Sequence, residues 1–311
     1  MALIKPAKLA AINVMYSMAF EQGRRRAPQD WKDIASEFTS DGESNMYPFM
    51  LDIGGMEKWE KEKNFEDLAA AGYELVNEEW QKSVEVKREK IRDDKAGLYK
   101  GKIEQLGYVG EDLPNRMVVY LLQNGKTLKC WDDKAYFATN HECNPNKPGL
   151  GTVSNLRTAK PLTEANARDL WSLFLQQPGS DGQPKGLPPD TVFVHPDEYF
   201  DALEIFNAAF ISGISSSSPG SRENVMAKVE KIQVKQLKRS TESGVWYYAS
   251  TMAGGAINNP LIVQVREAAH LVTPPAYSAA EYNRRVLQWS VESSHGFGYG
   301  KFDQLWRMEP T

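Results

Sequence analysis

The chain has 311 residues and a mass of 35.0 kDa, and hydrophobic residues make up 41% of it. This size and composition are typical of a globular protein with one large domain or two modest ones. The net charge is −4, whereas proteins that bind nucleic acid strongly are normally basic, at least regionally. Because no run approaches the roughly 20 apolar residues of a membrane span, integral membrane proteins are excluded.

The first 28 residues are basic and end in the triplet Arg24, Arg25 and Arg26. Four apolar residues at helical spacing predict an amphipathic helix in this arm that needs a surface to pack on: Leu9, Ile12, Tyr16 and Phe20. Over residues 29–112, by contrast, acids outnumber bases by nearly two to one. The three arginines therefore suit an acidic surface of a second chain, phosphate groups, or a solvated helix end, and these alternatives stay open.

Residues 31–59 are rich in aromatic side chains, including Trp31 and Trp59, but show little periodicity. We expect them to be buried against other parts of the fold or against a neighbouring chain. Two alternating runs follow, 73–77 and 83–87, and the polar residues 78–81 between them predict a β-hairpin. Its flanks are densely charged, so we expect this hairpin to lie on another surface.

A long helix is predicted from Asp94 to Asn124, broken near Gly110–Pro114. Beyond it, Thr163 can cap a helix, residues 191–194 read as a buried strand, and Pro196 opens another helix. Further strands are predicted at 227–237, 245–250, 261–266 and 286–291. The order of elements is mixed α+β, with no regular βαβ repeat.

Signals for catalysis or ligand binding are weak throughout the sequence. Cys130, His141 and Cys143 would supply three zinc ligands where a structural site needs four, so ordinary thiols beside a loop are the better interpretation. The two cysteines are too few to cross-link the chain, which favours a reducing compartment. The glycines at 296, 298 and 300 lack the Gly-Lys-Ser/Thr ending of a phosphate loop and predict a tight turn or strand crossing. We therefore predict no catalytic, cofactor or metal site, and a protein that is not an enzyme.

The order of the parts resembles the major capsid proteins of tailed phages, the Hong Kong ninety-seven type fold. Within that group the chain is most similar to the Mu-like major head subunit family, also called gpT-like. The resemblance rests on segments spread over nearly the whole chain in the order of the family: Trp31-x-x-Ile34-Ala35, residues 73–77, 86–94 with Gly97 and Tyr99, 131–137 with His141, 260–266 and 298–300.

The resemblance implies five regions. These are an N-terminal arm (1–59), an E-loop hairpin laid over the neighbouring subunit (60–92), a peripheral domain with a spine helix (93–159), an axial domain (160–260) and return strands to the peripheral domain (261–311). From the arm and the hairpin we predict contacts between subunits at Arg24, Arg25, Arg26, Trp31, Trp59, Glu78, Glu79, Trp80, Gln81, Lys82 and Arg88. Deleting residues 77–82, the expected hairpin tip, should then leave a folded subunit that assembles poorly.

The function implied by the resemblance is structural. Copies of the chain would form hexamers and pentamers of an icosahedral shell around double-stranded DNA, without sequence specificity or covalent cross-links. Scaffold and portal would be separate proteins, a decoration protein would be optional, and the shell would be assembled in the host cytoplasm and become part of the virion. The alternatives are an encapsulin-like nanocompartment shell and a soluble hydrolase with an unrecognised site.

Overall fold

The computed structural model describes residues 4–48, 72–93, 96–147, 149–212, 221–228, 232–251 and 259–311. The helices in these ranges are α1 (Pro6–Arg26), α2 (Arg88–Arg92), α3 (Ala96–Glu111), α4 (Leu113–Asn124), α5 (Glu164–Leu175), α6 (Tyr199–Asn207) and α7 (Ala279–Arg284). The strands are β1 (Ala35–Thr39), β2 (Ser44–Tyr47), β3 (Tyr73–Val76), β4 (Glu78–Lys87), β5 (His141–Glu142), β6 (Thr152–Val153), β7 (Leu156–Arg157), β8 (Thr191–Val194), β9 (Phe210–Ser212), β10 (Ser221–Glu223), β11 (Gln233–Gln236), β12 (Trp246–Ala249), β13 (Leu261–Val272), β14 (Val286–Tyr299) and β15 (Leu305–Met308). The mixture confirms the predicted α+β class.

The first sheet has the order β1-β13-β14-β4. The long strands β13 and β14 form its antiparallel centre, β1 joins β13 in parallel, and β4 joins β14 antiparallel along its whole length. Helices α1 and α3 cover one face, where Tyr16 meets Trp289 edge to face with ring centroids 5.0 Å apart. The apolar spacing in the N-terminal arm thus predicted the helix correctly, and all four of its apolar residues are buried.

The predicted hairpin of residues 73–87 is wrong. The first run, β3, pairs antiparallel with β2, and the second lies within β4, which pairs with β14. Residues 78–81 are the start of that ten-residue strand, not a turn. The register places Glu78 opposite His295 and Lys82 opposite Val291, so deleting 77–82 would remove half of an edge strand from the sheet.

The prediction of a long broken helix is confirmed by α3 and α4, which meet at Asp112. The Asp112 carboxylate is fully buried at this break and accepts hydrogen bonds from Asn115, Arg116 and Arg239. Pro114 lies in the first turn of α4, where its missing amide hydrogen costs nothing. Among the helices of the described ranges, none is both long and apolar enough to span a bilayer.

The second sheet has the order β11-β8-β12-β15-β7. Strand β8 occupies the predicted residues and is buried throughout. Helices α5 and α6 pack on one face, around Phe174, Tyr248 and Trp306, and the Thr163 hydroxyl caps α5 as predicted by accepting from the Asn166 amide. The opposite face packs on α4.

The glycines near the end of β14 let another strand cross it. A Cβ at Gly296 would lie 2.9 Å from the carbonyl oxygen of Val76, and one at Gly298 would press on Leu75 and Tyr73. Strand β3 therefore lies almost directly on the backbone of β14, and Tyr47 of its partner β2 donates to Gln264 (2.6 Å). This confirms the strand-crossing interpretation of the glycine-rich segment.

Candidate functional site: surfaces and polar clusters

Helix α1 is docked on the chain's own body through two glycines. A Cβ on Gly23 would overlap the carbonyl oxygen of Glu104 in α3, and one on Gly107 would overlap the carbonyl oxygen of Phe20 in α1. The two helix backbones therefore approach closely, as small residues permit. The N-terminal arm, over its described residues, is an integral layer of the subunit.

The arginine triplet at the end of α1 is mostly engaged within the subunit. Arg24 Nε donates to Glu111 Oε2 at 3.0 Å, and Arg26 pairs with Glu104. The third member, Arg25, is exposed. Of the alternatives left open by the sequence, an acidic surface is the observed one, but for Arg24 and Arg26 it belongs to α3 of the same chain.

Two of the predicted contact residues are buried in their own chain, which corrects their assignment to an intersubunit surface. Trp31 is 6% exposed, and its backbone amide donates to Asn115 Oδ1 at 2.9 Å. Arg88 is 5% exposed at the start of α2. Little of either side chain is left for a neighbour, because both are covered where the chain packs on itself. Trp59 lies outside the described residues.

The remaining predicted contact residues lie on β4, the edge strand of the first sheet. Glu78, Glu79, Gln81 and Lys82 are exposed. Trp80 is half-buried against Phe297, with ring centroids 6.0 Å apart, and among the residues that the structure describes its indole nitrogen has no hydrogen-bond partner. These residues stay candidates for a contact between subunits, but they would make it from an edge strand and not from the tip of a hairpin.

The zinc ligands considered from the sequence are only partly brought together. Cys130, Asp132 and His141 place their donor atoms within 4.8 Å of one another, but Cys143 is not part of this group. His141 Nδ1 lies 2.7 Å from Asp132 Oδ2 and Nε2 lies 3.0 Å from the carbonyl oxygen of Tyr136. The imidazole therefore links the Asp132 carboxylate to the backbone of Tyr136, with an oxygen atom beside each ring nitrogen.

The thiol in this group is held in its protonated form. Burial raises the pKa of Cys130, and the adjacent Asp132 carboxylate raises it further. Burial alone would raise the pKa of Asp132, but hydrogen bonds from His141 and Cys130 outweigh it and hold that pKa below its ordinary value. A metal ion binds the thiolate form of cysteine and needs ligand atoms with free lone pairs. The geometry of this group therefore favours a hydrogen-bonded cluster that stabilises the loop of residues 130–141 over a metal site. The sequence pattern did not identify Asp132 as a member of this group.

A second buried polar network joins the second sheet to helix α4. Arg307 on β15 is 3% exposed and donates to both carboxylate oxygens of Glu242 at 2.8 Å, to Glu309, and to the carbonyl oxygen of Leu122 in the last turn of α4. Burial would lower the pKa of Arg307, but its hydrogen bonds to Glu242 raise it instead. No local sequence signal links residues this far apart, so the network was not predicted.

A cleft of about 370 Å³ lies between the 30–34 turn, α4 and β11. Three ion pairs cross it: Lys235–Asp33 (3.1 Å), Lys238–Asp30 (2.6 Å) and Arg239–Asp112 (2.5 Å). Each cation comes from the second sheet or the segment after it, and each acid from the helical side. Such an arrangement holds two layers together; among the described residues that line the cleft, no nucleophile is paired with a base.

About half of the chain is similar in sequence to a known protein family. Residues 9–161 match the family model of the Mu-like prophage major head subunit gpT. The Mu-like prophage FluMu major head subunit of Haemophilus influenzae is 31% identical over 170 residues, which are 54% of this chain and 55% of the relative. The major capsid protein of Escherichia phage Mu is 26% identical over 153 residues, 49% of this chain and 50% of the relative. The chain thus spans about half the length of these curated relatives.

Solved structures extend the likeness along the whole chain. The procapsid of bacteriophage JBD30 has a TM-score of 0.58 at 20% identity, covering 98% of this chain and 75% of that one. A virus-like particle from Pyrococcus furiosus has a TM-score of 0.53 at 10% identity, covering 95% and 98%. At these identities the match shows the fold alone. Over residues 9–161 the chain is similar in sequence to the Mu-like major head subunit family, and along its length it has the fold of tailed-phage capsid proteins.

Proposed function

We propose that many copies of this chain close into an icosahedral shell of hexamers and pentamers, the head of a tailed phage, around double-stranded DNA. The observation that carries the proposal is the continuity of two matches. Residues 9–161 match the sequence model of a major head subunit, and the structural likeness to a phage procapsid covers 98% of the chain.

The elements are suited to the regions of such a subunit, with one change of boundary. The β2–β3 ribbon takes the role of the base of the E-loop in place of the predicted hairpin of residues 60–92, because β2 and β3 are the strands that pair; residues 49–71 lie outside the described residues. Helices α3 and α4 serve as the spine, the second sheet with α5 and α6 as the axial domain, and β13 and β14 as the return strands.

The proposed role is structural and not enzymatic. The buried polar groups described above are engaged in ion pairs and hydrogen bonds that hold the layers of the subunit together, which suits a structural role. Scaffold and portal would be separate proteins, a decoration protein an optional addition, and the shell non-covalent and part of the virion. A container for DNA also benefits from the net charge of −4, since a wall that attracted DNA strongly would hinder its packing and release.

A nanocompartment shell that holds protein cargo is the second candidate, and the likeness to the virus-like particle favours it at the level of fold. The sequence match separates the two, because it is to head subunits of Mu-like phages. We therefore rank the DNA-containing head first.

The test asks whether the chain assembles into closed particles and what those particles contain. The purified chain, alone and co-expressed with the proteins encoded beside it, is examined by sedimentation velocity and negative-stain microscopy. Closed hollow particles are expected, and in the phage context their contents should be DNA that resists nuclease. Particles filled with a protein cargo would support the nanocompartment instead. A chain that stays monomeric under all of these conditions would overturn both.

A further inference from the structure

The first sheet has opposite charges at its two ends. Strand β4 runs from Glu78–Glu79 at one end to Lys87 at the other, about 30 Å away at 3.3–3.4 Å per residue. The charges at the two ends are too far apart to neutralise each other within one subunit, because the separation is several Debye lengths at physiological salt.

The basic end is formed where β4, α2, α7 and the start of α1 meet. Lys87 lies opposite Val286, the Arg88 amide donates to the carbonyl oxygen of Arg285 at 2.8 Å, and Lys8 reaches the carbonyl oxygen of Arg92. Three exposed acids share this end with a larger set of exposed cations. The cations are Lys5, Lys87, Lys90, Arg92, Arg284 and Arg285.

Two large aromatic side chains flank these cations. Tyr277 is 57% exposed and Tyr282 is 76% exposed. Arginine and tyrosine are the residues most enriched where proteins bind one another, since they offer area and hydrogen bonds at modest entropic cost. An exposed surface of this composition is typical of a protein interface.

The acidic end is formed where β4 begins beside the base of the β2–β3 ribbon. Glu79 lies opposite Ser294, which lies opposite Glu267 on β13, and the Asn77 amide donates to the carbonyl oxygen of Glu43 at 2.8 Å. Arg266 is the one exposed cation of this end in the described ranges, against a larger set of exposed acids. The acids are Asp41, Glu43, Glu74, Glu78, Glu79 and Glu267.

We infer that the basic end of one copy docks on the acidic end of the next copy, in a head-to-tail contact repeated around each ring. The inference rests on the proposed self-assembly of the chain. A contact between two different patches is heterologous, and when the rotation between copies closes it generates a ring. The occupant is a second copy because the chain itself carries an acidic surface whose charge is complementary to that of the basic end.

Such a contact fits a shell that must correct its errors. Exposed ion pairs are individually weak, so a misplaced subunit can dissociate, whereas many such contacts in a closed particle add up to high avidity. The charges also steer subunits toward the correct orientation during encounter.

The experiment reverses the charge at each end. The acidic-end variant carries Asp41→Lys, Glu43→Lys, Glu78→Lys and Glu79→Lys. The basic-end variant carries Lys5→Glu, Lys87→Glu, Lys90→Glu and Arg92→Glu. The combined variant carries all eight changes, which exchange the net charges of the two ends and keep the wild-type net charge. All eight side chains are exposed on the subunit, and far-ultraviolet circular dichroism with thermal unfolding of the unassembled chain checks the fold. Assembly is measured by sedimentation at low and high salt.

Each single-end variant should need about tenfold or more protein to assemble at low salt, and the combined variant should assemble like the wild type. An equimolar mixture of the two single-end variants should form six-membered rings, because reversed and intact ends match in strict alternation around an even number of subunits. A combined variant that assembles no better than either parent, with the fold intact, overturns the inference.

Two other outcomes are diagnostic. Normal assembly of the basic-end variant with weakened binding of a fluorescent DNA duplex would make that end a nucleic-acid surface and overturn the contact between copies. Failure of the wild type itself to assemble would contradict the proposed function as well, whereas assembly of the wild type and of every variant alike would refute the head-to-tail contact alone.

Discussion

The close crossing of α1 and α3 makes opposite predictions for two glycines on one helix. Gly101 and Gly107 both lie within α3. A Cβ on Gly101 meets no atom within 4 Å, whereas a Cβ on Gly107 overlaps the carbonyl oxygen of Phe20. Replacing each by alanine therefore gives the same gain in helix propensity but a steric cost at one site only.

The magnitudes follow from those two terms. Gly101→Ala should raise the free energy of unfolding by about 0.5–1 kcal/mol. At Gly107 the same gain is opposed because the methyl group forces the helices apart and loosens the packing of Tyr16 and Phe20, and overpacking of this kind costs about 1–3 kcal/mol or more. We expect Gly107→Ala to lower the free energy of unfolding by about 2 kcal/mol, so the two variants should differ by about 3 kcal/mol.

The measurement is urea denaturation of the unassembled subunit, followed by tryptophan fluorescence, with the slope against urea compared as well as the midpoint. Gly101→Ala is the matched control for helix propensity. If Gly107→Ala proves as stabilising as Gly101→Ala, α1 does not lie against α3 as described, and the arm regains its freedom to reach a neighbour.

Two further predictions concern buried charge. Arg307→Met should lower the free energy of unfolding by about 2–4 kcal/mol, because it removes a buried guanidinium and leaves two half-buried carboxylates, Glu242 and Glu309, without their partner. Arg284→Met, which breaks an exposed pair, should cost less than about 1 kcal/mol in the same denaturation assay; equal losses would contradict the network. The pKa of Asp132 is held below its ordinary value by His141 and Cys130, so its contribution to stability is complete above about pH 4–5 and is lost as the pH falls through the folded-state pKa. Asp132→Asn should therefore flatten the decline of unfolding free energy with acid below about pH 5, and an unchanged slope would refute the role of these hydrogen bonds.

Local patterns in the sequence predicted local structure well. The apolar spacing of Leu9, Ile12, Tyr16 and Phe20 fixes a helix face, and Pro114 and Thr163 mark helix starts because their backbone chemistry acts within one turn. The family resemblance, carried by motifs along the chain, predicted the fold class that the structure and the comparisons confirm.

Local patterns did not predict which strands pair with each other or which buried charged groups bond together. Residues 73–76 and 83–87 both look like strands, but their partners are chosen by side-chain packing over distances in sequence of up to about 200 residues, which a short polar connection does not reveal. The same holds for Trp31, whose amide bonds to Asn115 of α4, and for Arg88, whose amide bonds to the carbonyl oxygen of Arg285. The partners of Asp132 and Arg307 are equally non-local.

The order of the first sheet also constrains when the chain can fold during synthesis. Strand β4 ends at Lys87 and its partner begins at Val286, so about 200 residues must be made before the pair can form, which takes about 10–40 s on a bacterial ribosome. Strand β15, which follows β14 in the chain, has neighbours on both sides in the second sheet. A nascent subunit therefore keeps β4 and the partners of β15 incompletely paired until Leu305–Met308 has been made, which delays the appearance of assembly-competent surfaces until both sheets can close.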